Sequence, residues 1–197
     1  MMQAMTRNRL LFHICCGPCS MAPLELLLAE GRDCELFFFN PNIHPAVEWQ
    51  RRLDNAVTAA EHYQLLLHIY PGSDEAAWRE RAGDGKERCA FCYRTRMMKT
   101  AEFAANNGFD SISSSLLVSP YQDRESIIEA GKTAAAAYGL EFEAHDWREQ
   151  YRHGQDLARE LGLYRQKYCG CIVSLEDSKF YDKVCAEHAK LIEADLI

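Results

Sequence analysis

His13-Ile14-Cys15-Cys16-Gly17-Pro18-Cys19-Ser20 packs three thiols into five residues, and its setting decides how the chain is read. Before it runs Leu10-Leu11-Phe12, the apolar end of a first strand. After it, Met21 to Glu30 carries apolar residues at helical spacing. Gly17 and Pro18 suit a tight turn between the two. The thiols therefore sit on a strand-to-helix turn, which in a parallel sheet lies at the carboxyl edge, where ligands bind. Backbone N–H groups at a helix start, with the positive end of its dipole, favour thiolates or anionic sulfur there.

The remaining chain repeats the alternation. Gly31 ends the first helix, and Pro23 fits its first turn. Cys34 to Phe39 reads as a buried parallel strand leading into the loop Asn40-Pro41-Asn42-Ile43-His44-Pro45. A helix follows over Val47 to Tyr63, then a strand over Leu65 to Tyr70. Ser73 or Asp74 can cap a helix over Glu75 to Arg81. Gly83-Asp84-Gly85 reads as a flexible loop, with Cys89 and Cys92 on the loop side of a helix running to Asn106. Ser111 to Val118 reads as a strand, Ser126 to Tyr138 as a helix and Leu140 to Phe142 as a short strand. Beyond His145 the pattern changes. Arg148 to Gly162 alternates charge with little apolar periodicity, and Ser174 to Ile197 reads as one closing helix or two. The expectation is a single α/β domain over 1–197. Its core is a Rossmann-like, doubly wound parallel sheet of four or five strands over about 8–145, with a helical extension over 146–197. No complete Gly-x-Gly-x-x-Gly or Walker loop occurs, so a dinucleotide or P-loop ATP site is not supported.

Of 197 residues, 48% are hydrophobic and 26% charged, the balance of an ordinary globular core. No run of eighteen apolar residues suggests a membrane span, and Leu10 to Cys16 is too short for a signal-peptide core, so a cytoplasmic protein is expected. A net charge of −7 weighs against broad, nonspecific nucleic-acid binding but leaves room for a local basic patch. In that compartment nine cysteines point to metal or redox chemistry rather than to a disulfide framework. Cys34 and Cys185 stand alone and read as small packed apolar residues.

The grouped thiols leave several readings open. Cys89-x-x-Cys92 has the spacing of a zinc knuckle, a thioredoxin-type pair or two ligands of an iron–sulfur cluster. If it faces the same sheet edge as Cys15 and Cys16, four thiolates converge; adjacent cysteines then favour a cubane cluster over zinc. Cys169-Gly170-Cys171 can close a small strained disulfide, an exchangeable two-electron store, or supply two metal ligands. Cys19 is a free thiol or a ligand to a second metal. His13 reads as a satisfied core histidine, and His44 as exposed enough in its loop to meet a substrate. Tyr121, Gln122 and Arg124, and the run Tyr164 to Tyr168, interleave aromatic with basic or amide groups. Such a mixture serves either a solvated surface or stacking on unpaired bases and holding phosphates.

The His13–Ser20 stretch, Phe39 to Pro45, Arg88-Cys89-Ala90-Phe91-Cys92-Tyr93, Ser113-Ser114-Ser115-Leu116 with Pro120-Tyr121, and Tyr168-Cys169-Gly170-Cys171 together resemble the QueH-type epoxyqueuosine reductases. The likeness runs in order from about residue 10 to 180, with Gly17 where the family usually has alanine. It implies an adenine-nucleotide α-hydrolase-like (HUP-like) fold and cobalamin-independent removal of the epoxide oxygen of epoxyqueuosine at the tRNA wobble position. It implies a 4Fe–4S cluster on Cys15, Cys16, Cys89 and Cys92, a redox-active pair in Cys169 and Cys171, and an adjacent mononuclear iron, for which Cys19 is the candidate ligand. His44 and Tyr121 are the substrate-binding candidates. The implied partners are a tRNA anticodon loop and a low-potential electron donor such as a ferredoxin or flavodoxin. Competing readings are a cluster-bearing tRNA sulfur transferase, which would need a pyrophosphate loop where Cys15 to Cys19 stand, and a zinc-stabilised binding module without catalysis.

Overall fold

The computed structural model describes residues 8–73, 75–81 and 85–194; Asp74, Gly83 and Asp84, named above in a cap and a loop, lie outside them, as do the two chain ends. Five strands, β1 (Arg9–His13), β2 (Asp33–Phe38), β3 (Leu67–Ile69), β4 (Ser111–Ser114) and β5 (Glu141–Phe142), form one all-parallel sheet in the order β3-β2-β1-β4-β5. β1 is central: Leu10 lies opposite Cys34 and Ser111, and His13 opposite Phe37 and Ser114. From β1 the chain winds outward through β2 to β3, then returns across the sheet to β4. That reversal leaves a crevice outside the carboxyl ends of β1 and β4.

The apolar run of β2 shows why the sheet is covered on both sides. Consecutive strand residues point to opposite faces. Phe37 stacks on Phe103 of α4 (Gly85–Asn106) with centroids 4.7 Å apart, while Phe38 meets Trp49 of α2 (Ala46–Tyr63) edge-on at 5.5 Å. The sheet is therefore doubly wound, with Leu10, Leu11, Phe12, Leu36 and Ile112 wholly buried in its core. α1 (Gly17–Ala29) packs beside α2, and α5 (Arg124–Ala137) beside α4. Among the described residues no helix is long and apolar enough to cross a membrane.

Several boundaries differ from expectation, each for a local reason. α1 starts at Gly17 with Cys16 as its cap, so Cys19 is helical and Pro23 sits inside the helix rather than in its first turn. α4 starts at Gly85, which puts Cys89 and Cys92 on one helical face instead of on a preceding loop. β4 stops at Ser114, whose hydroxyl accepts from the Leu116 N–H at 3.2 Å and turns Ser115–Val118 into a 3-10 helix. The stretch that alternates charge holds α6 (Tyr151–Glu160), seated on α1 so closely that a Cβ added at Gly154 would lie 3.3 Å from that of Ala22. After the short helices α3 (Glu75–Arg81) and α7 (Ile172–Glu176), α8 (Tyr181–Glu193) closes the described chain.

Candidate metal centre

The end of β1 and the first turn of α1 bring Cys15, Cys16 and Cys19 together. Their Sγ atoms all lie within 4.8 Å of one another, and Cys15 and Cys16 are 3.7 Å apart. All three are buried. The Cys15 N–H donates to Ser115 Oγ at 3.0 Å, and the Ser115 hydroxyl donates back to Cys15 Sγ at 3.3 Å. The Gln166 amide donates to Cys16 Sγ at 3.2 Å and to Cys19 Sγ at 3.7 Å. Hydrogen bonding with Cys16, then with Cys19, holds the Cys15 thiol well below its ordinary range. For the same reason Cys16 is pushed up to about 12 and Cys19 well above the usual thiol value. The trio is an all-sulfur set without carboxylate or imidazole.

A second set gathers on α4 and the loop before α7. Cys92 packs with Cys171 and Trp78, and Arg96, one turn on, donates Nη2 to Cys92 Sγ at 3.0 Å. Burial pushes Cys92 up to about 12, and burial also raises Cys89. Cys169 is exposed and accepts from Gln122 Nε2 at 3.4 Å; Gln122 Oε1 in turn accepts from the Tyr93 hydroxyl at 2.7 Å. Cys171 Sγ caps α7, accepting from the Ser174 N–H at 3.4 Å. Both Cys169 and Cys171 are free thiols. Arg96, itself buried, acts electrostatically on Cys92, Cys15 and Cys169 alike.

The residues expected as one ligand set thus fall into neighbouring groups: Cys15 and Cys16 stand with Cys19, while Cys89 and Cys92 stand with Cys169 and Cys171. Both groups reach one cavity of about 700 Å³ at the β1/β4 crevice, whose wall includes Cys15, Cys19, Cys89, Cys169, Arg96 and Tyr121. That volume is in the range of small-molecule sites. Tyr121 is 81% exposed at its margin. His44 is not exposed as expected but wholly buried, because its loop is folded under the Cys169-Gly170-Cys171 turn. His13, also buried, contacts Ser114 Oγ at 2.9 Å and the Phe39 carbonyl at 3.1 Å, and burial lowers it to about 4, so it is a neutral core histidine.

The turn itself is clamped from below by the motif residues His44 and Tyr168 and by Glu48, Arg52, Tyr164 and His188, which the motifs do not include. The His44 N–H donates to the Gly170 carbonyl at 2.9 Å, and the Tyr168 hydroxyl to the His44 carbonyl at 2.5 Å. Arg52 donates to the carbonyls of Cys169 at 2.8 Å and Tyr168 at 3.0 Å. Its Nε meets Glu48 Oε1 at 2.8 Å, and the other Glu48 oxygen accepts from the Tyr164 hydroxyl at 3.0 Å and lies 3.2 Å from His188 Nε2. Gly170 has φ +137°, and a Cβ there would sit 3.0 Å from Arg52 Nη1, so both conformation and contact call for glycine. The i, i+4 spacing of Glu48 and Arg52 was visible in the sequence; their burial was not.

The family model for the epoxyqueuosine reductase QueH matches residues 10–177. A relative of that name from Thermotoga maritima is 35% identical over 175 residues, spanning 84% of this chain and 89% of its own. Another, from Acinetobacter baylyi, is 36% identical over 184 residues, spanning 87% and 82%. Among solved structures, the U34-tRNA thiolase NcsA from Methanococcus maripaludis with its 4Fe–4S cluster superposes with a TM-score of 0.55 at 16% identity, covering 95% of this chain and 67% of that one. That likeness speaks to the fold alone.

Proposed function

The chain belongs to the epoxyqueuosine reductase QueH family, and we propose that it removes the epoxide oxygen of epoxyqueuosine at the tRNA wobble position to give queuosine. The observation that carries the reading is the cavity walled by cysteines at the switch point of the sheet. No phosphate-cradling loop takes that place, which disfavours an ATP-using sulfur transferase.

Losing the epoxide oxygen breaks two C–O bonds, forms the alkene and releases water, consuming two electrons and two protons. The thiols fit an iron–sulfur group: the close trio is buried and all sulfur, the donor type such clusters take. We assign a 4Fe–4S cluster to Cys15, Cys16, Cys89 and Cys92, and a second iron to the neighbourhood of Cys19. The close grouping of Cys19 with Cys15 and Cys16 also favours a second reading, in which those three hold the cluster together. When bound, these groups supply low-potential electrons and a Lewis acid for oxygen. In our reading Cys169 and Cys171 carry the electron pair: two S–H bonds give up two protons and two electrons as an S–S bond forms. A low-potential donor of the ferredoxin or flavodoxin class then restores the thiols. Gln122, held by Tyr93, orients Cys169, and Arg52 fixes the backbone beneath it. A tRNA substrate and nine cysteines suit a reducing, cytoplasmic compartment.

The deciding assay is anaerobic incubation of iron-loaded protein with epoxyqueuosine-containing tRNA and a low-potential reductant, scoring nucleosides by mass. Queuosine is expected; unchanged epoxyqueuosine defeats the reading. Under the same assay Cys169→Ser is expected to keep its iron and lose turnover, whereas loss of iron would make Cys169 a ligand.

A further inference from the structure

Tyr121 stands 81% exposed on the loop before α5, and its ring meets that of Tyr151, the first residue of α6, edge-on at 5.8 Å. Both rings line the thiol cavity. A ring this open at a cavity margin offers a free face on which a planar group can stack.

The charge around it is also out of keeping with the molecule. Lys86 and Arg88, in the first turn of α4, line the same cavity, and Arg165 acts electrostatically on Tyr151. Among the described residues none of these three cations has a carboxylate within ion-pair distance. The Nε of Arg88 is buried with no hydrogen-bond partner. The carboxylate on the cavity wall, Asp123, caps α5, accepting from the Ser126 N–H at 3.2 Å, and meets Lys86 electrostatically without forming an ion pair. A chain of net charge −7 therefore keeps Lys86 and Arg88, neither in an ion pair among the described residues, beside the exposed Tyr121 ring and the half-buried Tyr151 ring on the wall of one cavity. A stacking surface with positive charge held outside any ion pair is the chemistry that holds single-stranded nucleic acid.

We propose that this rim grips the RNA strand on either side of the reacting nucleotide. A flanking unpaired base stacks on Tyr121, braced by Tyr151, and backbone phosphates lie against Lys86 and Arg88. The proposal rests on the reading of an anticodon loop as substrate and adds which face holds it and by what contacts. A loop nucleotide is already unpaired, so it enters the cavity without melting a duplex, and the flanking contacts keep it there.

The test uses iron-loaded protein and an unmodified RNA hairpin with an anticodon-type loop, titrated by fluorescence anisotropy across a salt series. Tyr121→Ala is expected to lose affinity by about 5- to 150-fold with its salt dependence intact, and Tyr121→Trp to retain affinity, since stacking needs a ring and not a hydroxyl. Arg88→Gln and Lys86→Gln are each expected to flatten the slope of log affinity against log salt by about 0.7. Tyr121 and Lys86 are exposed, so their variants fold as the parent does, and Arg88→Gln is carried forward only with a thermal melt matching wild type. Unchanged hairpin affinity and slope in Tyr121→Ala, Arg88→Gln and Lys86→Gln overturn the proposal, as does a defect confined to capture of an acidic electron-donor protein. The proposal fails alone if wild-type protein converts epoxyqueuosine-containing tRNA while the variants bind like wild type. The parent reading fails with it if wild-type protein neither converts that tRNA nor binds the hairpin.

Discussion

Glu48→Gln puts the clamp beneath the cysteine turn to the test. In the native chain the carboxylate is inaccessible to solvent and Arg52 is 2% exposed, so the pair gains little from water and depends on its partners. Glu48 receives Arg52 Nε at 2.8 Å and the Tyr164 hydroxyl at 3.0 Å, and lies 3.2 Å from His188. Burial disfavours the Glu48 carboxylate, but the Arg52 charge and these hydrogen bonds outweigh it and hold the group below the usual carboxylate range. A glutamine keeps the shape and removes the charge, leaving a buried guanidinium uncompensated. Breaking one side of such a pair costs about 3–5 kcal/mol. In a protein of this size about 2–4 °C of melting temperature goes with each kcal/mol, so Tm should fall by about 6–20 °C. Anaerobic thermal melts of the iron-loaded protein read this directly. Replacing both partners, in Glu48→Met with Arg52→Met, should cost less than the sum of the single changes, because the stranded charge disappears with its partner. A Glu48→Gln melt within 2 °C of wild type, or strict additivity in the cycle, would show that the pair does not hold the turn.

Iron content separates the two ligand sets: Cys89→Ala or Cys92→Ala should lose cluster iron while Cys19→Ala keeps most of it, and the reverse pattern, read by iron analysis and visible absorbance, assigns the cluster to the first trio. Gly17→Ala should cost about 1–3 kcal/mol in a denaturant melt, because a Cβ there would lie 2.6 Å from the Asn55 carbonyl oxygen and α1 must shift from α2; a neutral result would mean the helices separate freely. Glu143 loses solvent on folding but gains His145, Ser111 and Arg32, which together hold it at about 2. Its folded value lies below the unfolded one, so its stabilisation is complete above about pH 4.3 and fades as pH falls toward 2; Glu143→Gln should flatten that limb of the acid denaturation curve.

The alternation of apolar runs with Gly- and Pro-marked turns was enough to read a parallel sheet wound on both sides, because period and punctuation are local properties. Cys15, Cys16 and Cys19 were legible as a group for the same reason: neighbours in sequence on a strand-to-helix turn cannot be far apart in space. Where helices begin was less legible. Gly85 to Arg88 carries no apolar stripe, so the start of α4 was placed too late. The charges of Arg148 to Gly162 hid the narrow face by which α6 sits on α1. His44 shows the limit most plainly, for a loop rich in Asn and Pro reads as exposed until another segment is laid over it.

Residue types, their spacing and their order therefore established the sheet class, the sulfur-rich chemistry and the family likeness, since each depends on a few consecutive residues. Pairing between segments more than seventy residues apart was settled by folding. Arg52 reaches the carbonyls of Tyr168 and Cys169, Gln166 reaches the first thiols, and Arg96 lies in electrostatic range of both cysteine groups. Such contacts come from how helices pack across the sheet and close a common cavity, and side-chain burial there converts ordinary i, i+4 spacings into a clamp and a shared cation.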